Sequence, residues 1–295
     1  MEWQQLIGFY HVARLGSFTK AAGITFRTQS ALSQQIRSLE EELGCQLFER
    51  IGKRKLLLTP AGKKFFLFSE TVLAKYQYLI EDLNELKGLQ KGQLKIAAPF
   101  TTLYHLLPRT LEIYTKQFPW VELSLLDRSQ QNVIELIRSG DVDFGITHEL
   151  IVPKNINKIR WKKVETVLLT PNEHPLAGIK QVTVRQIAQY PLILPPKSIE
   201  YDNRRKLEEL FVKHQLEYRI IMESSNVELS SFYVEMGLGI SFATVVRDLP
   251  VLKQRKLAFV PLDHYFSPGH ITVSHRKDKD LSSFKSAFLA ILLGN

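Results

Sequence analysis

The chain has 295 residues, 44% hydrophobic and 23% charged, the balance of a globular protein with material for two or three compact cores. Disordered, collagen-like and disulfide-stapled miniature architectures are excluded. Lysine and arginine number 39 against 30 acidic residues, a formal charge of +9 that invites a polyanion as partner without locating the charge. The single cysteine, Cys45, excludes an internal disulfide framework and a cysteine-built metal site, and fits a reducing cytoplasm. It is expected to be a small buried apolar residue rather than a redox switch. The start Met1-Glu2-Trp3 has no basic leader, and no apolar run approaches the roughly 18 residues of a membrane span. A cytoplasmic protein without a membrane partner is therefore expected.

Up to about Gly92 the pattern is helical with one interruption. Leu6, Phe9, Tyr10 and Ala13 keep helical spacing and Gly16 closes the first helix. Ser17 is a candidate cap for a second helix over 18–25. A third helix fits 29–43, with Leu32, Ile36, Leu39 and Leu43 on one stripe and Gly44 after its end. Gln29, Ser30, Ser33, Gln34 and Arg37 fall on a separate arc of roughly 140°. Two short helices, the second offering amide, hydroxyl and guanidinium groups, meet the needs of a helix-turn-helix that reads base edges and phosphates. An ordinary amphipathic surface helix also has such a face, so the arc alone does not decide.

The following residues add to it. From Arg50 to Lys64 the chain carries Arg50, Lys53, Arg54, Lys55, Lys63 and Lys64, and no acidic residue. Gly52 reads as the turn of a hairpin between Leu47-Phe48 and Leu56-Leu57-Leu58, with a cationic tip. Beside a recognition helix, such a tip is a wing that grips the DNA backbone or minor groove. Segment charges do not discriminate: residues 1–91 hold 13 basic and 9 acidic groups, the remainder 26 and 21. The local run carries the inference.

The stretch GSFTKAAGITFRTQSALSQQIRSLEEELGCQLFERIGKRKLLLTPAG resembles the winged helix-turn-helix of the LysR-type transcriptional regulators. The matching elements are Ser17-Phe18, Ala21-Ala22, Gln29, Ser33, Ile36, Leu39-Glu40, Leu43-Gly44, Leu47-Phe48, Arg50, Leu58-Thr59 and Ala61-Gly62. The pattern that follows matches the family to the carboxyl terminus. Departures are Thr25 and Arg27, where the family has leucine and a small apolar residue, Ser30 where proline is common, and Gln34 where arginine is frequent. Arg27 is either an added phosphate contact or a solvated turn residue. Candidate DNA-binding residues are Arg27, Thr28, Gln29, Ser30, Ser33, Gln34, Arg37, Arg50, Lys53 and Arg54, on double-stranded promoter or operator DNA.

Pro60-Ala61 suits a helix start. The apolar positions Phe65, Phe68, Val72, Tyr76, Leu79, Leu83 and Leu86 step by three or four, and a helix over 60–87 spans about 42 Å. A second copy is the economical cover for that seam, packing within one chain being the alternative. The resemblance implies an antiparallel dimerisation helix, a homodimer or homotetramer, and RNA polymerase as a candidate partner.

From Gln93 strands and helices alternate. Strands are expected at 94–98, 122–126, 143–146, 167–170, 192–194, 219–222, 239–242, 257–260 and 271–273. Helices are expected at 103–118, 132–139, 201–214, 227–236 and 281–292. This is an α/β multi-domain chain. Its divisions are a winged helix-turn-helix (1–59), a linker helix (60–88) and an effector domain (89–295). The resemblance implies a two-lobed, periplasmic-binding-protein-like fold for the last, with lobe I about 93–164 and 268–295 and lobe II about 165–267. Ligands in open α/β sheets sit beyond the carboxyl ends of strands. Hydroxyl-bearing turns there hold Thr101 and Thr102, Ser198 with Tyr201 and Asp202, and Ser224-Ser225-Asn226, each also an ordinary helix cap. The resemblance supports the first two turns and adds Thr147 and His148. With Lys197 and Arg204 nearby, an anionic or highly polar small-molecule effector is favoured.

No nucleophile elbow, phosphate loop, dinucleotide fingerprint or paired metal histidines occur, so neither catalytic residues nor a metal or cofactor is assigned. The expectation is a DNA-binding regulator controlled by a metabolite between two lobes. The rival is a ligand-independent repressor whose second domain serves only assembly.

Overall fold

The computed structural model describes residues 1–51, 55–88, 90–197, 202–246 and 255–294, with the side chains of all but Arg50, Ile51, Lys55 and Asp202. They form two compact units, Met1–Leu89 with Asp278–Ser282, and Gln90–Lys277 with Ser283–Asn295.

The first unit runs α1 (Trp3–Leu15), α2 (Phe18–Ile24), α3 (Gln29–Leu43), β1 (Phe48–Ile51), β2 (Lys55–Leu58) and α4 (Pro60–Leu86). Side-chain caps set these boundaries. Ser17 accepts from the Lys20 amide, Thr28 from that of Ala31 and Thr59 from that of Gly62, each satisfying an orphan donor of a first turn. Val12, Ala21, Ala22, Leu32 and Ile36 bury one cluster among the three short helices. Phe9, Leu39 and Leu47 form a second, closed by Phe65 of α4. Strands β1 and β2 pair antiparallel, Phe48 opposite Leu58 and Ile51 opposite Lys55. The hairpin is tied to α3 by Glu40, whose Oε1 accepts the amides of Leu47 and Phe48 at 2.7 and 3.1 Å. Cys45 is exposed, which corrects the expectation of burial. It follows Gly44 in the turn that closes α3, its amide donating to the Glu40 carbonyl, and such a turn faces solvent.

In the second unit the strand order is β4-β3-β5-β11-β6-β9-β7-β8, with β10 on the side of β6. One end holds β3 (Gly92–Ala98), β4 (Val121–Asp127), β5 (Phe144–His148) and β11 (Gly269–Arg276). The other holds β7 (Leu192–Leu194), β8 (Ile220–Glu223), β9 (Ile240–Val246) and β10 (Leu257–Pro261). Strand β6 (Ile156–Pro171) belongs to both: up to Val164 it pairs with β11, and from Val164 with β9 and β10. Each end has its own core. Lobe I buries Ala97, Val133, Ile134, Ile137 and Val142 under α7 (Gln130–Arg138). Lobe II buries Leu168, Leu194, Leu207, Phe211 and Ile240 on one sheet face and Val167, Leu169, Ile193 and Val234 on the other. The packing helices there are α9 (Asp202–Lys213) and α10 (Val227–Glu235).

The C-terminal helix α11 (Ser283–Leu293) returns to lobe I. Its Phe288 meets Tyr114 and Phe144, and Lys285 pairs with buried Asp143 at 3.1 Å.

Three elements differ from expectation. The helix over 103–118 is two, α5 (Phe100–His105) and α6 (Pro108–Gln117). Pro108 lacks an amide hydrogen and disfavours helical backbone before it, so it restarts the helix at its own first turn. The strand expected at 167–170 is the last third of β6, whose first part alternates partly buried residues with Lys158, Arg160, Lys162 and Lys163. Those cations carry no strand signal, yet β11 runs antiparallel beside them, with Ser274 opposite Lys158, Thr272 opposite Arg160 and Ile271 opposite Lys162. A short helix, α8 (Val184–Ala188), is held by a capping box between Thr183 and Gln186. Among the described residues no helix is long and apolar enough to cross a membrane.

Candidate nucleic-acid interface and small-molecule cleft

Helix α3 turns Leu32, Ile36 and Leu39 inward, and thereby leaves Gln29, Ser30, Gln34 and Arg37 exposed and Ser33 half-buried. Thr28 caps the helix and lies 3.1 Å, Oγ1 to Oγ, from Ser30. Arg27 is exposed and its guanidinium donates to Gln4 Oε1 at 3.4 Å. The backbone of Arg50 pairs in β1 opposite Leu56. Its side chain, and Lys53 and Arg54 at the tip, lie outside the described residues. The exposed face of α3 offers amide, hydroxyl and guanidinium groups of the kinds able to bond base edges and phosphates.

In the second unit a cavity of about 390 Å³ opens between the lobes. Thr101 and Thr102 of α5, and Thr147 and His148 of β5, all line it. Thr147 is 2% exposed and its hydroxyl has no hydrogen-bond partner among the described residues. His148 is fixed twice: its amide donates to Gln130 Oε1 at 3.0 Å and its Nδ1 accepts from the Leu150 amide at 3.3 Å. That acceptance leaves the neutral ring's proton on Nε2. Ser198 and Tyr201 lie outside the described residues, as does the side chain of Asp202.

The cleft also has lining that sequence reasoning missed. Glu149 follows His148, its Oε2 accepting from Arg160 Nε at 2.8 Å and its Oε1 3.1 Å from His270 Nδ1. Burial works against ionisation there, but the bonds to His270 and Arg160 outweigh it and hold the carboxyl below its ordinary range. Thr166 and Thr244 stand opposite each other on β6 and β9, and Asn203 of α9 donates to both, at 2.9 and 3.4 Å. Glu165, Lys206 and Phe266 complete the wall. No spacing in the chain announces residues brought together from β6, α9 and β9. The third hydroxyl turn, Ser224-Ser225-Asn226, lines a smaller cavity of about 70 Å³, together with Thr101 and Asn203.

One expectation is corrected. Arg204 is not available to an anion: it is buried, with Nε on Glu208 at 3.1 Å, Nη1 on Glu223 at 2.7 Å, and the Pro195 carbonyl as a further acceptor. Two carboxylates neutralise it, and a buried guanidinium so held is a structural post.

A winged helix-turn-helix followed by a long helix and a two-lobed α/β domain with a cleft defines a DNA-binding protein that carries a small-molecule site. The family model described as a bacterial regulatory helix-turn-helix protein of the lysR family matches residues 3–63, and the one described as a LysR substrate binding domain matches residues 87–295. The chain belongs to the LysR family of transcriptional regulators. It is 30% identical to the HTH-type transcriptional activator CmpR of Synechocystis sp., over 97% of this chain and 93% of that protein. It is 31% identical to the HTH-type transcriptional regulator cbl of Escherichia coli, over 81% and 76%. Among solved structures it is similar in fold to a full-length OxyR variant from Pseudomonas aeruginosa, with TM-score 0.67, 20% identity and coverage of 100% and 97%. It is also similar to HinK from the same organism, with TM-score 0.57, 24% identity and coverage of 99% and 97%. The protein is a DNA-binding transcriptional regulator with an effector-binding domain.

Proposed function

We propose that residues 1–59 read DNA through Thr28, Gln29, Ser30, Ser33, Gln34 and Arg37, with Arg27, Arg50, Lys53 and Arg54 on phosphates. In this reading residues 60–88 assemble a homodimer, which can pair into a tetramer. Residues 89–295 sense a small polar metabolite, and the protein works in the cytoplasm. The exposure of Phe68, Tyr76, Leu79, Leu83 and Leu86 along α4 supports the dimer, because a second copy of the helix would cover that row.

The observation that carries the effector reading is the buried hydroxyl of Thr147, which has no hydrogen-bond partner among the described residues, in a cleft of about 390 Å³. A buried polar atom left without a partner costs free energy, and a ligand oxygen or nitrogen would remove that cost. Ligand contacts would come from Thr101, Thr102, Thr147, His148 through Nε2–H, and Ser198, Tyr201 and Asp202. Lys206 and Glu165 share the lining, and Arg160 and His270 balance Glu149, so the wall carries both signs and suits a small polar molecule. Differential affinity of the ligand for one arrangement of the lobes would alter DNA contact.

The test is a thermal-shift screen of metabolites, then footprinting of the DNA beside the protein's own gene with any hit. A true effector at about 100 times its dissociation constant adds roughly 2.7 kcal/mol of stability. Thr147→Val is expected to weaken that ligand about tenfold while DNA affinity without ligand stays at the wild-type value. Equal ligand affinity in Thr147→Val would remove the hydroxyl from the site.

A further inference from the structure

Four helix ends in the first unit pass through the left-handed backbone region. Gly16, Gly44 and Gly88 occupy it after α1, α3 and α4, as a residue without Cβ does at no steric expense. After α2 the residue there is Phe26, at φ 53°. The Arg27 amide donates to the Ala22 carbonyl at 3.0 Å, closing the six-residue ring of a helix end that ordinarily requires glycine at the position of Phe26. Phe26 and Gln215 are the two non-glycine residues with positive φ among those described, and Phe26 is the apolar one.

Nothing among the described residues repays the strain. The ring is 97% exposed, and its neighbour Ile24 is half exposed. Ile24 ends α2 and Phe26 stands in the turn that leads into the Thr28 cap and Gln29. The apolar row that awaits a second copy lies on α4, a different element. Phe26 precedes Gln29 by three residues, at most about 11 Å of extended chain. The major groove that would receive the start of α3 is about 12 Å wide, and its wall carries thymine methyls and deoxyribose faces.

We propose that Phe26 is an apolar DNA contact, its ring packing on the hydrophobic edge of the duplex next to the base read by Gln29. The inference rests on the DNA-binding reading and extends it from polar contacts to shape and methyl recognition. An aromatic side chain has only two torsions to fix on docking, and so loses little freedom for the area it buries. Its contribution differs in kind from that of Arg50 or Lys53, because an apolar contact releases no counterions.

The experiment uses the full-length protein and a duplex it selects from a random-sequence library. Phe26→Asn keeps a residue that tolerates the left-handed conformation. It is expected to melt no lower than wild type, to sediment as wild type, and to bind the selected duplex about tenfold more weakly. The slope of log affinity against log salt concentration should equal that of wild type. Replacing each thymine of the duplex by deoxyuridine then locates the contact. A loss at one position per half-site, present in wild type and absent in Phe26→Asn, assigns the thymine methyl; no such position assigns the deoxyribose face. Wild-type affinity or an altered salt slope in Phe26→Asn would overturn the proposal, as would a lowered melting temperature or a changed oligomeric state. If wild type selects no duplex, the DNA-binding reading itself falls; if wild type selects one and Phe26→Asn binds it equally, only this inference does.

Discussion

Glu40 sits at the junction of α3 and the hairpin, buried, with one oxygen holding two backbone amides. Glu40→Ala removes that acceptor and leaves the Leu47 and Phe48 amides without it. The expected cost is about 2–3 kcal/mol in chemical denaturation, whereas Glu40→Gln, which keeps an acceptor oxygen, should recover most of it. Gly62 lies close by, where a Cβ would overlap the Leu47 carbonyl oxygen, so the wing and the start of α4 can meet only through glycine. His11 supplies a pH dependence in the same unit. Burial first, and Arg14 second, hold its imidazole below the ordinary value of 6.5. The unfolded chain therefore takes up a proton that the folded chain resists. This contribution to stability is fully present above 6.5 and is lost as pH falls from there through the folded value. Melting temperatures between about pH 7.5 and 5.5 should fall in wild type and fall less in His11→Gln. His174, lowered by burial in the second unit, contributes in the same direction to both proteins.

Helix α4 combines two faces that local rules alone would not separate. Phe65 packs into the winged domain, its ring 4.8 Å from that of Phe9, while Leu79, Leu83 and Leu86 farther along remain exposed. Those outer positions are the ones a second copy would cover. Leu79→Glu combined with Leu83→Glu is expected to turn a dimer into a monomer in sedimentation at micromolar concentration. The melting transition of the winged domain should be little changed, because neither residue belongs to its core clusters. A dimer that survives both substitutions would place the assembly surface elsewhere.

The two lobes share one long strand, β6, whose partners change at Val164, and the cleft opens beside that change. A second tie crosses from lobe to lobe. His105, at the end of the helix that begins near Thr101, places Nε2 2.5 Å from Glu228 Oε1 on α10. The other oxygen of Glu228 accepts from Arg255 at 3.1 Å. One end of α5 thus lines the cleft and the other end holds the opposite lobe. Glu228→Ala releases His105 and leaves Arg255 with Glu235 alone, and is expected to change effector affinity several-fold, since it alters the balance between lobe arrangements. DNA affinity without effector should stay near wild type; an unchanged effector affinity would mean that this tie does not report on the cleft.

The order of amino acids by itself determined the helix-turn-helix, the wing and the long helix, because their signals are local. Thr28 and Gly44 bound α3, and the apolar stripe between them has helical period. Thr59 caps α4 and Pro60 opens it, both legible in the chain. The chain's alternation of strands and helices also determined the α/β class and placed Thr101 and Thr102 after the first strand, while the two lobes and the places of Thr147 and His148 came from the resemblance to the LysR family. Tertiary structure alone decided the rest. It extended β6 through a cationic stretch that only pairing with β11 makes a strand, whereas the break at Pro108 and the exposure of Cys45 have local causes, in the proline itself and in the turn after Gly44. Glu208, one turn along α9, and Glu223 of β8 withdrew Arg204 from the ligand, and Asn203, Thr166 and Thr244 met from three separate elements. Such features depend on partners far along the chain, and burial and charge compensation are properties of the assembled neighbourhood rather than of any short segment.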